Sequence, residues 1–365
     1  GQPWRLEPVA DCRPLSPRHR LRWLYHRARH RFARWQYRKG GALSADLFGY
    51  AHGALDRLAQ RAPADLAIFH SEGGLWMAER LRHRGRRVGI DFEDWFSQDL
   101  PPESRVGRPV AELREMERAL LRHVRYVLAP SHAMADALAL DAGSVTPTVI
   151  YNAFPEPPGP VPRAAKPDRR NAQAVSLHWF SLVTGPDRGL ETLARALGQV
   201  PGGCEIHLRG DGPEGYRQQW LASVPAAHRP NVFFHPTVSN TELPERIAEH
   251  DIGLALDVSR IPSRNLTITN KLFQYLQGGL ALAASDTAGH REVMNAAPGA
   301  GGIFPAEDAA ALGALLREFG SDRERVRRMK TSAREASRTV FAHERQATIY
   351  ATLAEAALQA PVSIS

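Results

Sequence analysis

The sequence predicts an α/β protein with two doubly wound, parallel-sheet domains, because short apolar runs alternate with helical patterns along the chain. A proline-rich stretch separates two such halves, and 365 residues suit two or three domains. The predicted strands are Leu66–His70, Arg87–Asp91, Arg125–Ala129 and Thr148–Tyr151 in the first half, then Ala174–His178, Cys204–Leu208, Asn231–His235, Ile252–Leu256 and Leu280–Ala284. The helical patterns between them include Arg105–His123, Gly189–Gln199, Leu243–His250 and Asn270–Gln277.

Composition excludes several classes of protein. With 43% hydrophobic residues the chain can bury a core, and two cysteines, Cys12 and Cys204, cannot form a disulfide framework or a cysteine-rich zinc site. A reducing compartment is therefore expected. No signal peptide and no apolar run approaching 18 residues is present, so secreted, fibrous, disordered and membrane-spanning classes are not expected. The expected location is the cytoplasm, with peripheral contact to the inner face of the membrane as one alternative.

The net charge of +8 resides in one segment, Arg18–Lys39, which carries nine basic residues and no acidic residue. Apolar side chains fall at helical spacing within it, so the segment predicts a basic amphipathic helix. Such a helix can contact an anionic membrane or acidic acceptor, pack on its own domain, or bind nucleic acid. No recognised nucleic-acid-binding motif accompanies it, so no nucleic-acid partner is expected. The apolar positions are Leu21, Leu24, Tyr25, Ala28, Phe32 and Trp35.

The domain boundary is predicted from the prolines. Six of them lie between Tyr151 and Gln173, where no strand or helix pattern occurs, and such a stretch is typical of a stiff linker. The predicted division is a first domain over 1–152, a linker over 153–173, a second domain over 174–340 and a last segment over 341–365. The helix in that segment, about Arg345–Leu358, is a candidate to return to the first domain. Ligands are expected beyond the carboxyl ends of the strands, in the cleft between the domains.

Three segments of the second half have features that suit phosphate. The helix predicted from Thr269 or Asn270 would present unpaired amides and a positive dipole end, with Arg264, Lys271 and Gln274 nearby. An ordinary capped helix is the alternative. The two others are glycine-bearing loops, one with Gly185, Arg188 and Gly189, and one over Arg209–Glu214 with Gly210. No Walker A lysine loop is present, and no Gly-x-Gly-x-x-Gly motif follows a first strand, so an ATPase or a dehydrogenase is disfavoured.

These segments resemble the retaining glycosyltransferases of family 4, which have the GT-B fold. The resemblance covers about Asp65 to Tyr350 and is most specific in the Asn-Lys helix with its Gly-Gly exit, Asn270–Gly279. The other matching stretches are Gly185-Pro-Asp-Arg-Gly-Leu-Glu-Thr-Leu, Leu208-Arg-Gly-Asp-Gly-Pro-Glu, Ala129-Pro-Ser-His-Ala-Met and Val149-Ile-Tyr-Asn-Ala.

The resemblance implies a nucleoside-diphosphate sugar, UDP- or GDP-linked, bound by the second domain without a metal or other cofactor. Arg188 and Lys271 would stabilise the leaving diphosphate together with the helix start at Thr269, Asn270, Lys271 and Leu272. Gln274 stands where the family usually has a glutamate on the ribose, Leu266 where many members have the other motif glutamate, and Leu182 where an arginine is usual. The remaining predicted donor residues are Gly185, Gly210, Arg264 and, as the turn contacting the base, Pro236 and Thr237.

Carboxylates in the first half predict the acceptor side. Asp91, Glu93 and Asp94 follow one strand, and His70 and Glu72 follow its predecessor. A strand-end cluster of this kind suits a base or a partner for a sugar hydroxyl, so Asp91, Glu93 and Asp94 are predicted to be catalytic and His70, Glu72, Glu93 and Asp94 to bind the acceptor. A solvated acidic turn is the alternative.

The expected activity is transfer of a sugar, with retention, to a glycan or lipid-linked acceptor in cell-surface polysaccharide synthesis. The family's first strand and glycine-containing loop have no counterpart before Trp4–Val9, which predicts either a truncated or an abbreviated first domain. Two alternatives follow from these departures: a non-catalytic GT-B protein that binds nucleotide sugars, and a sugar-nucleotide epimerase.

Overall fold

The computed structural model describes residues 17–156 and 167–361. Cys12, Trp4–Val9 and residues 157–166 of the predicted linker lie outside these residues. The chain divides into two compact units. Unit 1 comprises the described residues through Ala129, then Ala135–Val149 and the described residues from Ala351; unit 2 comprises Pro130–Met134 and Ile150–Tyr350.

Unit 1 contains a four-stranded parallel sheet whose strands lie side by side in chain order. Its central strands are almost wholly buried, which explains why apolar runs predicted them. The strands are β1 (Ala67–Phe69), β2 (Val88–Asp91), β3 (Tyr126–Ala129) and β4 (Thr148–Val149). The helices in this part of the chain are α1 (Pro17–Gly40), α2 (His52–Arg61), α3 (Ser71–Arg82), α4 (Val110–His123) and α5 (His132–Ala142).

Unit 2 contains a six-stranded parallel sheet in the order β10-β9-β8-β5-β6-β7. Helices cover both faces, and alternate residues of β9 belong to two separate hydrophobic clusters, with Ala283 in one and Leu282 in the other. The strands are β5 (Ser176–Val183), β6 (Glu205–Asp211), β7 (Val232–His235), β8 (Ile252–Ala255), β9 (Ala281–Asp286) and β10 (Gly301–Pro305). The helices are α6 (Leu190–Ala196), α7 (Glu214–Ser223), α8 (Leu243–Ala248), α9 (Pro262–Leu266), α10 (Asn270–Gly278), α11 (Ala288–Ala296), α12 (Ala309–Ser321) and α13 (Arg323–Arg338). The last helix, α14 (His343–Gln359), belongs to unit 2 through Tyr350 and to unit 1 from Ala351.

Several predicted boundaries are wrong. Strand β5 continues five residues past His178, and β6 continues through Arg209–Asp211, because Phe180 pairs with Arg209 and Val183 with Asp211. Helix α3 begins at Ser71, directly after His70, so Glu72 lies in a helix. In α1 the helix is confirmed, but the predicted apolar stripe does not pack on the domain: Leu21, Tyr25 and its other large residues are exposed.

Candidate functional site

The order of the strands in unit 2 creates a topological switch point between β5 and β8. From β5 the chain proceeds to β6 and β7 on one side of the sheet, whereas β8, β9 and β10 follow on the other. The loops that leave the carboxyl ends of β5 and β8 therefore diverge, which opens the crevice where parallel α/β sheets bind ligands. The residues of these two loops and the start of α10 form the candidate donor site.

A glycine fixes the loop after β5 against the end of β8. Gly189 has a φ of +76°, and a Cβ there would lie 2.1 Å from the Leu256 carbonyl oxygen. The same loop is tied to the segment after β8, because Asp187 pairs with Arg260 and its carbonyl accepts a hydrogen bond from Arg264 Nη1 (3.2 Å). The loop is thus held by contacts with its own chain, and its geometry does not depend on a ligand.

Arg188 extends from this tethered loop into solvent. Its Nη1 donates to Ser181 Oγ at 3.1 Å, and no carboxylate of a described residue lies within ion-pair distance of it. An exposed guanidinium on a fixed loop, without an acidic partner, has its hydrogen-bonding capacity available for an anion.

Asp257, which follows β8, was not predicted from the sequence. It lies among the charged residues of the candidate donor site. Its Oδ2 lies 3.4 Å from His290 Nε2, and Ser285 Oγ donates to its carbonyl at 2.7 Å. Burial raises the pKa of Asp257, but Lys271, His290 and Arg264 outweigh burial and hold that pKa well below its usual value. The position at a strand's carboxyl end was the only signal in the sequence.

Helix α10 begins beside these charges. Thr269 is its N-cap residue in extended conformation, and its side chain caps no backbone amide. Lys271 Nζ lies 3.4 Å from Thr269 Oγ1 and 6.0 Å from the centre of the Trp179 ring. Uncapped amides, a positive helix end and the Lys271 ammonium together suit a phosphate group.

The other predicted residues of α10 divide by burial. Leu272 is fully buried in a hydrophobic cluster, so only its backbone can face a ligand. Asn270 is exposed. Gln274 is half-buried, and its amide makes no hydrogen bond within the described part of the chain. Gln274 therefore has a free donor and acceptor one turn into the helix.

The two other predicted donor glycines, Gly185 and Gly210, have different surroundings. A Cβ at Gly185 would meet nothing closer than Val183 Cγ1 at 3.8 Å, so the backbone makes no unusually close approach there. Gly210 lies in β6 with a φ of +154°, and a Cβ there would lie 2.4 Å from the Ser181 carbonyl oxygen. Its small size is therefore needed for packing between β5 and β6, and its predicted contact with the donor stays a prediction.

The predicted base-contact turn follows β7, an edge strand of the sheet that β6 separates from β5. Pro236 accepts a hydrogen bond from Arg209 Nη1 at its carbonyl (2.8 Å), and Thr237 Oγ1 donates to Asp211 Oδ2 (2.6 Å). Thr237 lowers the pKa of Asp211. The turn is thus held at the same carboxyl edge of the sheet as the charged residues.

In unit 1 the structure brings together three of the predicted acceptor-side residues. His70 follows β1, and its Nδ1 lies 3.5 Å from Asp91 Oδ2, at the end of β2, and 3.2 Å from Glu93 Oε1. Burial raises the pKa of Asp91, as does Glu93, while His70 opposes them. These three ligand atoms lie within 4.8 Å of one another, so the group can bind a hydroxyl or hold a cation. The prediction that no metal is needed stays a prediction.

The other two predicted acceptor residues are placed differently. Glu72, in the first turn of α3, pairs with Arg108, and burial raises the pKa of Glu72 against the effect of that arginine. Asp94 is half-buried and is not one of the three clustered residues.

Comparison with known proteins gives a partial family match. Residues 188–354, a little under half of the chain, match the family described as glycosyl transferase-like. No curated protein sequence matches significantly. Among the described residues, no helix has both the length and the apolar character needed to cross a membrane.

Solved structures match over most of the chain. Sucrose-phosphate synthase from Thermosynechococcus elongatus matches with a TM-score of 0.67 and 15% identity, over 84% of this chain and 76% of that chain. Anabaena HepE in complex with UDP-glucose matches with a TM-score of 0.64 and 19% identity, over 84% and 82%. Trehalose-6-phosphate from Escherichia coli bound with UDP-2-fluoro glucose matches with a TM-score of 0.57 and 16% identity, over 85% of this chain and 76% of that chain. The predicted GT-B fold is confirmed, and the family match supports a glycosyltransferase.

Proposed function

We propose that this protein is a retaining glycosyltransferase of family 4 that transfers a sugar from a UDP- or GDP-sugar to a hydroxyl of a glycan or lipid-linked acceptor. The observation that carries the proposal is that the switch point of unit 2 holds both the Arg188 loop, which Arg264 contacts through Asp187, and the start of α10 with Lys271. The UDP and UDP-sugar complexes among the structural neighbours favour the same class of donor.

The reaction would use the charges of unit 2 on the leaving group. As the bond between the anomeric carbon and the diphosphate breaks, negative charge grows on the diphosphate oxygens. Arg188, Lys271 and the first amides of α10 stabilise that charge, which lowers the barrier without a metal ion. The acceptor hydroxyl attacks the face that the diphosphate leaves, so the configuration at the anomeric carbon is retained.

Gln274 would bind the ribose as a neutral amide in place of the glutamate that is usual in the family. A neutral acceptor makes a weaker hydrogen bond to a diol than a carboxylate does. The donor affinity would therefore depend more strongly on the diphosphate contacts of Arg188 and Lys271.

Acceptor binding would fall to unit 1. The His70, Asp91 and Glu93 group offers two carboxylates and an imidazole, which suit the hydroxyls of a sugar. The raised pKa of Asp91 also suits a group that takes up the proton of the attacking hydroxyl. We place this reaction in the cytoplasm, in the synthesis of a cell-surface polysaccharide.

The assignment of the phosphate site is tested with Arg188→Ala. Loss of a charge-assisted contact should weaken binding of the matching nucleoside diphosphate by about 1.5–3 kcal/mol, or roughly 10- to 150-fold, and leave binding of the nucleoside unchanged. Arg327→Ala, on α13, is the matched control, because Arg327 is exposed and pairs only with Glu324 of its own helix in the described structure. Calorimetry that shows equal losses for nucleotide and nucleoside would remove Arg188 from the phosphate site.

Turnover separates the activity from its alternatives. Incubation of the donor with an acceptor in EDTA should give a glycoside of unchanged anomeric configuration by NMR. Binding without turnover would indicate a nucleotide-sugar-binding protein, and isomerisation of the donor alone would indicate an epimerase. Transfer that stops in EDTA and resumes with a divalent cation would contradict the metal-free mechanism and direct attention to His70, Asp91 and Glu93.

A further inference from the structure

Helix α1 packs on unit 1 through only one of its faces. Ala33 is buried, His30 Nδ1 lies 2.7 Å from the Asp46 carbonyl oxygen, and the Tyr37 hydroxyl donates to the carboxylate of Glu112 (2.8 Å). Trp23 and His26, half-buried, lie on the same face. This face combines aromatic and polar side chains, so no apolar repeat identified it.

The opposite face presents a continuous apolar stripe to solvent. Its large side chains are between 52% and 69% exposed, and the rings of Phe32 and Trp35 stack with their centres 5.7 Å apart. At 3.6 residues per turn the stripe is centred about half a turn away from the packed face. Its members are Leu21, Leu24, Tyr25, Ala28, Phe32 and Trp35.

Arginines border this stripe along both sides. On the helical wheel Arg18, Arg22 and Arg29 lie on one side, and Arg20, Arg27, Arg31 and Arg38 lie on the other. Within the described structure Arg29 alone of these pairs with an acid, Asp46. An apolar stripe between two cationic rows matches the interface of an anionic bilayer, where acyl chains accept the stripe and lipid phosphates accept the guanidinium groups.

We propose that α1 docks unit 1 on an anionic lipid surface, with its apolar stripe inserted at the headgroup boundary and its arginines at the level of the phosphates. Each basic residue near such a surface contributes about 1 kcal/mol. A second copy of the chain fits this face poorly, since two helices that each carry nine basic residues and no acid between Arg18 and Lys39 would repel each other. The proposal does not depend on the proposed transferase activity.

Vesicle flotation with the full chain tests this surface. The wild type should float with vesicles of phosphatidylcholine and 30% phosphatidylglycerol, should not float with pure phosphatidylcholine, and should bind less in 0.5 M NaCl. The double variant Phe32→Glu, Trp35→Glu should lower the partition coefficient at least tenfold. Leu140→Glu is the matched control, because Leu140 is a single apolar side chain on α5 that is 87% exposed, and it should leave binding unchanged.

A charge variant separates this site from the protein's general basicity. Reversal of Arg20, Arg27 and Arg31 to Glu should abolish flotation, whereas reversal of three arginines of α13, Arg325, Arg327 and Arg328, should not. Circular dichroism confirms that each variant is folded. Absence of wild-type flotation, or equal effects of the two reversals, would overturn the proposal. Concentration-dependent dimerisation lost in the stripe variant, or tighter binding to oligonucleotides than to vesicles, would assign the face to another partner.

Discussion

A row of buried histidines in unit 2 predicts that its stability falls as the pH is lowered. His178 in β5 pairs in register with His207 in β6, His235 ends β7, and His250 precedes β8. The ring centres of His178 and His207 each lie 4.5 Å from that of His250, and those of His207 and His235 lie 5.2 Å apart. Burial lowers the pKa of all four, and lowers that of His235 to about 4.

The magnitude follows from linkage. Because the folded pKa values lie below the unfolded value of about 6.5, the stabilising contribution is present above pH 6.5 and is lost as the pH falls below it. Between pH 7.5 and 5.5 each histidine then removes at most about 1.4 kcal/mol from the free energy of unfolding, so four remove at most about 5 kcal/mol. The cause is burial, so 0.5 M NaCl should change this loss little.

A buried glutamate in unit 1 acts in the opposite direction. Glu117 accepts hydrogen bonds from Trp95 Nε1 and from the amide and hydroxyl of Ser97, and burial raises its pKa to about 7. A raised carboxyl pKa favours the folded state as the pH falls, by about 2 kcal/mol between pH 7.5 and 5.5. If both units unfold together, the net loss from these five groups is therefore at most about 3 kcal/mol.

Urea unfolding at pH 7.5 and 5.5, monitored by tryptophan fluorescence, tests both the loss assigned to the histidines and the gain assigned to Glu117. His178→Phe keeps a ring in the stack and should reduce the loss by about 1.4 kcal/mol, whereas Glu117→Gln should increase it by about 2 kcal/mol. Equal losses in His178→Phe and the wild type would refute the assignment to this row of histidines.

Three further changes test the site in unit 2. Gly189→Ala places a Cβ 2.1 Å from the Leu256 carbonyl oxygen and should lower the free energy of unfolding by roughly 2–4 kcal/mol, while Gly198→Ala, where nothing lies within 4 Å, should melt close to the wild type. Gln274→Glu should preserve or tighten nucleotide binding by calorimetry; a large loss would place Gln274 away from the ribose. Asp257→Asn should destabilise by about 1–3 kcal/mol in urea, because the anion facing Lys271 and His290 is lost, and an unchanged midpoint would contradict that role.

The sequence predicted the elements whose burial is uniform and missed those set by contacts between distant residues. Strands β3 and β8 are wholly buried, so apolar runs identified them. The ends of β5 and β6 were missed because they are set by the pairing of Val183 with Asp211, which in β6 extends the strand over the polar end Arg209–Asp211. The packed face of α1 was not identified, because hydrogen bonds of His30 and Tyr37 hold it.

The sequence predicted the candidate site from two local signals. One is a charged residue in a glycine-bearing loop, as at Arg188, and the other is a charged residue at the start of a helix, as at Lys271. Asp257 was missed because a lone aspartate after a strand has no distinctive spacing, and its links to His290 and Lys271 arise only when the end of β8, α10 and α11 come together. The acceptor-side carboxylates were predicted as a group, but Glu72 was not distinguished from the others, since Arg108 lies 36 residues along the chain.

The switch point of unit 2 is proposed to bind a nucleoside diphosphate. Calorimetric titration of the full chain with UDP, GDP, ADP and CMP in EDTA, and then with the matching nucleotide sugars, tests it most directly. We expect selective binding of one diphosphate, UDP or GDP, and of the matching nucleotide sugar. Absence of binding by all of them, or binding unaffected by Arg188→Ala, would contradict it.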